Sequence, residues 1–174
     1  MSYLNLVSSI EVLCDDTDIG KITLDDLNDK RLKQLLDSIE YIELRKSIER
    51  QIIGREHFIK RKFIKFILNY IDESFWASSE RPKFGRILEE DLEELLKRIY
   101  DQRSATLHNG EPFPPSIYNP PTLGSEIDDS LGEYDGGRMW RPEEFITNFH
   151  FFEKLTNHVL KNFLKKNQIE KHME

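Results

Sequence analysis

The sequence predicts an all-α fold: a helical bundle of about five helices with a long loop before the last helix. Three observations carry this. Apolar residues recur at three- and four-residue spacing along most of the chain. No stretch alternates convincingly as a half-buried strand does. Glycine and proline are concentrated in one stretch, residues 109–141, which holds five of the eight glycines and five of the seven prolines. At 174 residues the chain suits a single domain spanning 1–174.

Each element follows from its own signals. Residues 3–14 (YLNLVSSIEVLC) read as a short apolar helix, followed by a turn at Asp15–Gly20. Thr23 and Asp26 resemble a capping box, and Leu27, Leu32, Leu35, Leu36, Ile39 and Ile42 continue at helical spacing. Gly54 is the expected break in this segment. A third helix is expected over about 56–76, on the stripe Ile59, Phe63, Ile67, Tyr70 and Ile71. Ser78–Gly85 contains Pro82 and reads as a connector.

The fourth helix is expected over about 86–108, with Leu88, Leu92, Leu95, Leu96 and Ile99 as its core face. Asn109–Gly110 should end it, since both residues tolerate the left-handed conformation of a helix C-terminus. The 109–141 stretch is then a lid or a mobile loop, with Gly136–Gly137 merely flexible. Pro142 is expected to open the last helix, where its missing N–H costs nothing, with Glu143 and Glu144 complementing the dipole. Phe145, Phe149, Phe152, Val159 and Phe163 line its inner face to about residue 167.

Composition excludes several classes. The single cysteine, Cys14, rules out an internal disulfide framework and a cysteine-based zinc cluster. No uncharged apolar run is long enough for a membrane span, and the N-terminus lacks the basic start of a signal peptide. A soluble, cytoplasmic protein without membrane contact is expected. The net charge of −7 opposes indiscriminate nucleic-acid binding, although residues 45–65 carry eight bases against two acids. Phe58, Phe63 and Phe66, in and just beyond that stretch, sit at core spacing, and its bases suit a solvated helix face. The histidines show no zinc-binding spacing, so no metal and no cofactor is expected.

The informative segment is Tyr100–Gly110, YDQRSATLHNG. Successive helical residues turn by about 100°, which puts Arg103 on the core stripe between Ile99 and Leu107. A cation there costs free energy unless it is paired or faces an interface. His108 falls on the polar side, and Tyr100, Ser104 and His108 form one sloping row. Arg103 and His108 are about 140° apart on an ideal helix, too far to meet on one phosphate within one chain unless the helix loosens. A second copy of the chain is the alternative source of the missing partner. Chance alone gives about one arginine–histidine pair of such spacing in a chain of this composition. Arg50 and His57 form another, so context decides.

That context carries a resemblance. Arg103-x4-His108 near the end of an amphipathic helix resembles the signature of the HEPN superfamily. With Tyr100, Ser104 and Asn109–Gly110 around it, the phrase is similar to the ApeA-like branch. The opening SYLNLVSSIEVLCDD also resembles that branch's first helix, which ends in a phrase containing a glutamate, here Glu11. Ser104 departs from the pattern, since many members carry Asn, Asp or His there. The resemblance implies an α-helical domain that forms a homodimer with its motifs facing across a two-fold cleft. Its active members are metal-independent endoribonucleases of defence, toxin–antitoxin or RNA-processing systems. RNA is then the substrate, and an antitoxin or a fused sensor module is an expected partner.

The resemblance assigns Arg103 and His108 as catalytic, with Tyr100, Ser104, Asn109 and Glu11 supporting them or touching substrate. Imidazole can take the 2′-OH proton or protonate the leaving 5′-oxygen. Guanidinium can bind the phosphate and stabilise its growing charge. The same residues also have a purely structural reading, in which Arg103 and His108 complement the helix dipole or cap its free carbonyls and Arg103 pairs with Glu11 or another carboxylate. A catalytically silent dimerisation or interaction domain is the corresponding alternative. A third is the regulatory half of a toxin–antitoxin pair, modified at Tyr100 by a partner.

Overall fold

The computed structural model describes residues 2–21, 23, 29–55, 58–77, 81–117, 125–128 and 131–171, with backbone alone at 53–55 and 169–171. The chain is all-α, with one two-stranded hairpin among the described residues. Its helices are α1 (Tyr3–Glu11), α2 (Lys30–Asp37), α3 (Ile42–Arg55), α4 (Ile59–Tyr70), α5 (Glu73–Trp76), α6 (Leu92–Asn109) and α7 (Phe149–Lys171). The hairpin strands are β1 (Glu133–Asp135) and β2 (Arg138–Trp140).

The core is a four-helix packing of α1, α4, α6 and α7. It is made by Leu6, Val7 and Ile10 from α1, and Phe63, Phe66 and Ile67 from α4. Leu92, Leu95, Leu96 and Ile99 of α6 complete it with Phe152, Leu155 and Val159 of α7. Each is close to fully buried, worth about 1.5–3 kcal/mol of transfer free energy per large side chain. Tyr3 locks the start of α1 to the entry of α7: its ring stacks on Phe152 at 4.8 Å and its hydroxyl lies 2.8 Å from Thr147 Oγ1. The α2–α3 pair packs mainly on itself. No described helix is long and apolar enough to cross a membrane.

Several boundaries differ from the sequence expectations, each for a local reason. Asp26 lies outside the described residues, and α2 starts instead from Asp29, whose carboxylate accepts the Leu32 N–H at 2.9 Å. The break comes at Ser38–Tyr41, where Ser38 Oγ bonds Leu35 O at 2.6 Å, and Gly54 sits inside α3. The third expected helix is two, because Ile71 is extended and Asp72 caps a new start through Ser74 N–H at 2.9 Å. Leu88 precedes a 3-10 turn at Glu89–Asp91 and is exposed, so α6 begins only at Leu92. Pro142 opens a 3-10 turn, Pro142–Glu144, and α7 begins seven residues later. Its cap is Asn148, whose Oδ1 accepts the Phe151 N–H at 2.9 Å.

The described parts of the 109–141 stretch carry regular structure. Gly136 and Gly137, at φ +57° and +84°, form the two-residue turn of the hairpin, a conformation that excludes most side chains. Strands of three residues are too short to produce an alternating pattern. Glu126 N–H bonds Gly85 O at 2.8 Å, Asn148 N–H bonds Glu126 O at 3.0 Å, and Ile127 bridges Thr147. Asn148 Nδ2 also donates to Ser125 O. These bonds fasten the described part of the loop between α5 and α7.

Candidate functional site

The site is built where the last residue of α1 meets the last three turns of α6. α6 is regular through Asn109, and Gly110 ends it at φ +69°, donating to Thr106 O at 3.1 Å, while Glu111 N–H reaches Ala105 O at 3.3 Å. That is the left-handed stop expected from Asn109–Gly110.

Glu11 is the hub. Its Oε2 receives Arg103 Nη2 at 2.7 Å and its Oε1 receives the Tyr100 hydroxyl at 3.0 Å. The pair is mostly shielded, with the Arg103 side chain 19% and the Glu11 side chain 14% exposed. Arg103 also lies over the Tyr100 ring, its guanidinium carbon 5.7 Å from the centroid. Tyr100 is held from behind by Phe63, at 5.4 Å between ring centres. Arg103 Nε is buried without a hydrogen-bond partner. The carboxylate is thus shared between two residues one turn apart on α6, which fixes the rotation of α6 against α1.

This cluster lines a cleft of about 320 Å³, with Val12, Cys14, Asp15, Ile59 and Lys62. Cys14 and Lys62 were not singled out as site residues from the sequence. Cys14 follows Glu11 by three and so shares its side of the chain, Sγ lying 3.4 Å from Glu11 O. Lys62 comes from the basic stretch and donates to Asp15 O at 2.5 Å and Oδ1 at 2.9 Å. Burial, then the Glu11 charge, pushes the Cys14 thiol up to about 11. Burial and the bond to Glu11 push the Tyr100 phenol up to about 12. Both groups are therefore protonated at neutral pH and act as donors, not nucleophiles.

The remaining expected site residues stand apart from this hub. His108 and Asn109 are exposed, and Ser104 is half-buried. Asn109 Nδ2 reaches only Glu111 Oε1, at 3.5 Å. Because α6 stays helical through position 109, the 140° separation of Arg103 and His108 is retained. One chain brings Glu11, Tyr100 and Arg103 together and keeps His108 on another flank. The second arginine–histidine pair cannot be placed, since His57 lies outside the described residues.

Several bases of the basic stretch are held in the chain's own ion pairs. Arg45 meets Asp37 and Glu49, Lys60 meets Asp101 and Lys62 meets Asp15. It also spans two helices, α3 and α4. It is a set of paired helix faces rather than a continuous cationic track. Among the described residues no three His, Cys, Asp or Glu side chains gather as a metal site.

Comparison with protein-family models, with curated proteins and with solved structures gives no match for this chain.

Proposed function

We propose that the chain is a HEPN-like endoribonuclease that cleaves RNA without a metal and works as a homodimer. The observation that carries this reading is Arg103: a cation at a core-stripe position, preoriented by Glu11 and Tyr100, at the edge of a cleft. Glu11 takes one terminal nitrogen of the guanidinium and leaves Nη1 for a phosphate oxygen. His108 supplies the proton transfers. As neutral imidazole it takes the 2′-OH proton while the 2′-oxygen attacks phosphorus. The P–O5′ bond breaks, a 2′,3′-cyclic phosphate forms, and the 5′-oxygen leaves with a proton. Arg103 stabilises the charge that builds on the phosphoryl oxygens.

A second copy supports both needs of this mechanism. It offers the histidine that one chain holds 140° away from its own arginine. It also offers cover for Val12, Ile59 and Leu107, exposed apolar residues on and next to the cleft rim. The −7 charge disfavours bulk RNA, so an antitoxin or a fused sensor module would govern or deliver the target. Defence, toxin–antitoxin and RNA-processing roles all fit this arrangement.

The test is cleavage of structured and unstructured RNA in EDTA by wild type, Arg103→Ala and His108→Ala. Loss in both variants, with circular dichroism unchanged and a cyclic phosphate on the wild-type product, supports the enzyme. Equal cleavage by all three means a contaminant and overturns it. A silent interaction domain is the second reading, favoured by the full engagement of Glu11 with Arg103 and Tyr100. Absence of cleavage by a verified dimer selects it.

A further inference from the structure

Between Arg103 and Arg138 the sequence has no lysine and no arginine, and it has six carboxylates: Glu111, Glu126, Asp128, Asp129, Glu133 and Asp135. This one stretch therefore carries −6 of the chain's net charge of −7. Glu126 is neutralised inside the fold. It forms a buried bidentate pair with Arg81, Nε–Oε1 2.7 Å and Nη2–Oε2 2.6 Å, and its Oε2 accepts the Ile87 N–H at 2.9 Å. Three of the others, Glu111, Glu133 and Asp135, gather at one groove.

The groove, of about 670 Å³, lies between the end of α6 and β1 and shares no described lining residue with the Glu11–Arg103 cleft. That volume is in the range of ligand sites. Gly110, in the left-handed conformation, turns the chain out of α6 and starts one wall, residues 111–115. This wall is preformed, which lowers the ordering cost of binding. Gln102 Nε2 donates to Pro112 O at 2.8 Å, and the Phe113 ring packs on Tyr3 at 5.5 Å between centres. Three of the five wall residues, Pro112, Pro114 and Pro115, have no N–H to donate. The wall is thus apolar in its side chains and richer in backbone acceptors than in donors. β1 supplies the other wall through Glu133 and Asp135, which share one face of the strand.

Glu111 and Asp135 are the carboxylates that a ligand reaches. The Glu111 side chain is 43% exposed and Asp135 is exposed, whereas Glu133 is half-buried and engaged within the chain. No described lining residue is a base. Arg138 stands beside the groove, but Glu144 holds its Nη2 at 2.5 Å and its guanidinium carbon lies 3.9 Å from the Trp140 ring centre. Its Nη1 stays 3.8 Å from Glu111, a loose contact that a second base can share.

Acid at the rim, an apolar floor and an acceptor-rich backbone together fit a ligand that has cations, donors and an apolar group. A simple cation leaves the proline and Phe113 floor uncovered. An extended peptide meets all three needs, because its side chains alternate between faces and its N–H groups meet carbonyls. Five residues reach at most about 17 Å, so the wall suits a segment of about that length. We propose that this groove docks an extended basic segment of a partner protein, its lysines or arginines on Glu111 and Asp135 and an apolar side chain on Pro112, Phe113 and Pro115. The site is separate from the ribonuclease reading and stands without it.

Fluorescence anisotropy of the labelled peptide Lys-Arg-Leu-Pro-Leu-Arg-Lys with the full chain tests the proposal. Its central proline favours the extended form, and it should bind saturably. One control peptide has serine for both leucines, and another has glutamate for all four bases. Both should bind at least about tenfold more weakly. Glu111→Gln/Asp135→Asn should weaken the first peptide by about tenfold, and added salt should weaken it too. Unchanged circular dichroism shows the double variant folded. Arg103→Ala should bind the peptide as wild type does, so failure here is distinct from failure of the nuclease assay. No saturable binding of the first peptide, equal binding by the double variant, or equal binding of the serine peptide overturns the proposal.

Discussion

Arg103 Nη2 lies 2.7 Å from Glu11 Oε2, joining α6 to α1 across 92 positions of sequence. The pair does structural work whatever chemistry occurs beside it, because both charges are mostly withdrawn from water. Removing one partner leaves the other without compensation. Glu11→Gln keeps the shape and an acceptor for Tyr100 but removes the charge. It should lower stability by about 2 kcal/mol, below the value for a fully buried pair because both groups keep some solvent. Urea denaturation of Glu11→Ala, Arg103→Ala and the double variant should give a coupling of about 1–3 kcal/mol. Strictly additive effects would mean that the ion pair contributes nothing.

If Arg103 of one protomer works with His108 of the other, inactive variants should rescue each other. A heterodimer of Arg103→Ala with His108→Ala contains one cleft with both residues intact and one with neither. Half of the dimers in an equal co-expressed mixture are such heterodimers, so about a quarter of wild-type cleavage should return. Absence of rescue in a mixture verified to contain heterodimers places both residues of a working site in one chain, against the geometry of α6.

Cys14 and Tyr100 make the site sensitive to alkali. Both have folded-state values above their ordinary ones, at about 11 and about 12, because burial and the Glu11 charge oppose ionisation. Their contributions to stability are complete below the unfolded values. As pH rises past 9 the unfolded thiol loses its proton first, and past 10 the unfolded phenol follows, so stability falls across roughly pH 9–12. Equilibrium unfolding against pH should show this decline. At pH 8 the Cys14 thiolate fraction is about a hundredfold below that of an ordinary thiol. Iodoacetamide should modify folded protein at least that much more slowly than guanidinium-unfolded protein. Equal rates would show that the thiol is neither buried nor electrostatically suppressed.

The four core helices were legible because each carries an amphipathic stripe long enough to read, and the Asn109–Gly110 stop because its chemistry is local. The anomaly of Arg103 was legible for the same reason, as a cation on a stripe of leucines and isoleucines. Its pairing with Glu11 was one option among the chain's carboxylates, since spacing alone does not say which helices touch. The hairpin was hidden by three-residue strands, and the start of α7 by Pro142, whose signal applies equally to a 3-10 turn. Cys14, Lys62 and the Arg81–Glu126 pair were out of reach. They meet only through tertiary packing, across 45 positions in the last case.

The attachment of the 125–128 segment makes the most direct test of the loop. Gly85 sits at φ +59°, and its carbonyl accepts both Glu126 N–H and Ile127 N–H. A Cβ on Gly85 would lie 2.5 Å from Ser125 Cβ and 3.0 Å from Ile127 O, neither of which belongs to a flexible side-chain end. Gly110 has a similar φ of +69° but open space where its Cβ would fall. Gly110→Ala should therefore cost only the left-handed backbone penalty, about 1 kcal/mol. Gly85→Ala adds displacement of the segment that carries Glu126, so the total should reach about 3 kcal/mol. Because that shift also strains the Arg81–Glu126 pair, Glu126→Gln should be less costly in the Gly85→Ala background than in wild type. Equal losses for the two glycine variants, measured by urea denaturation, would show that the 125–128 segment does not press on the Gly85 turn.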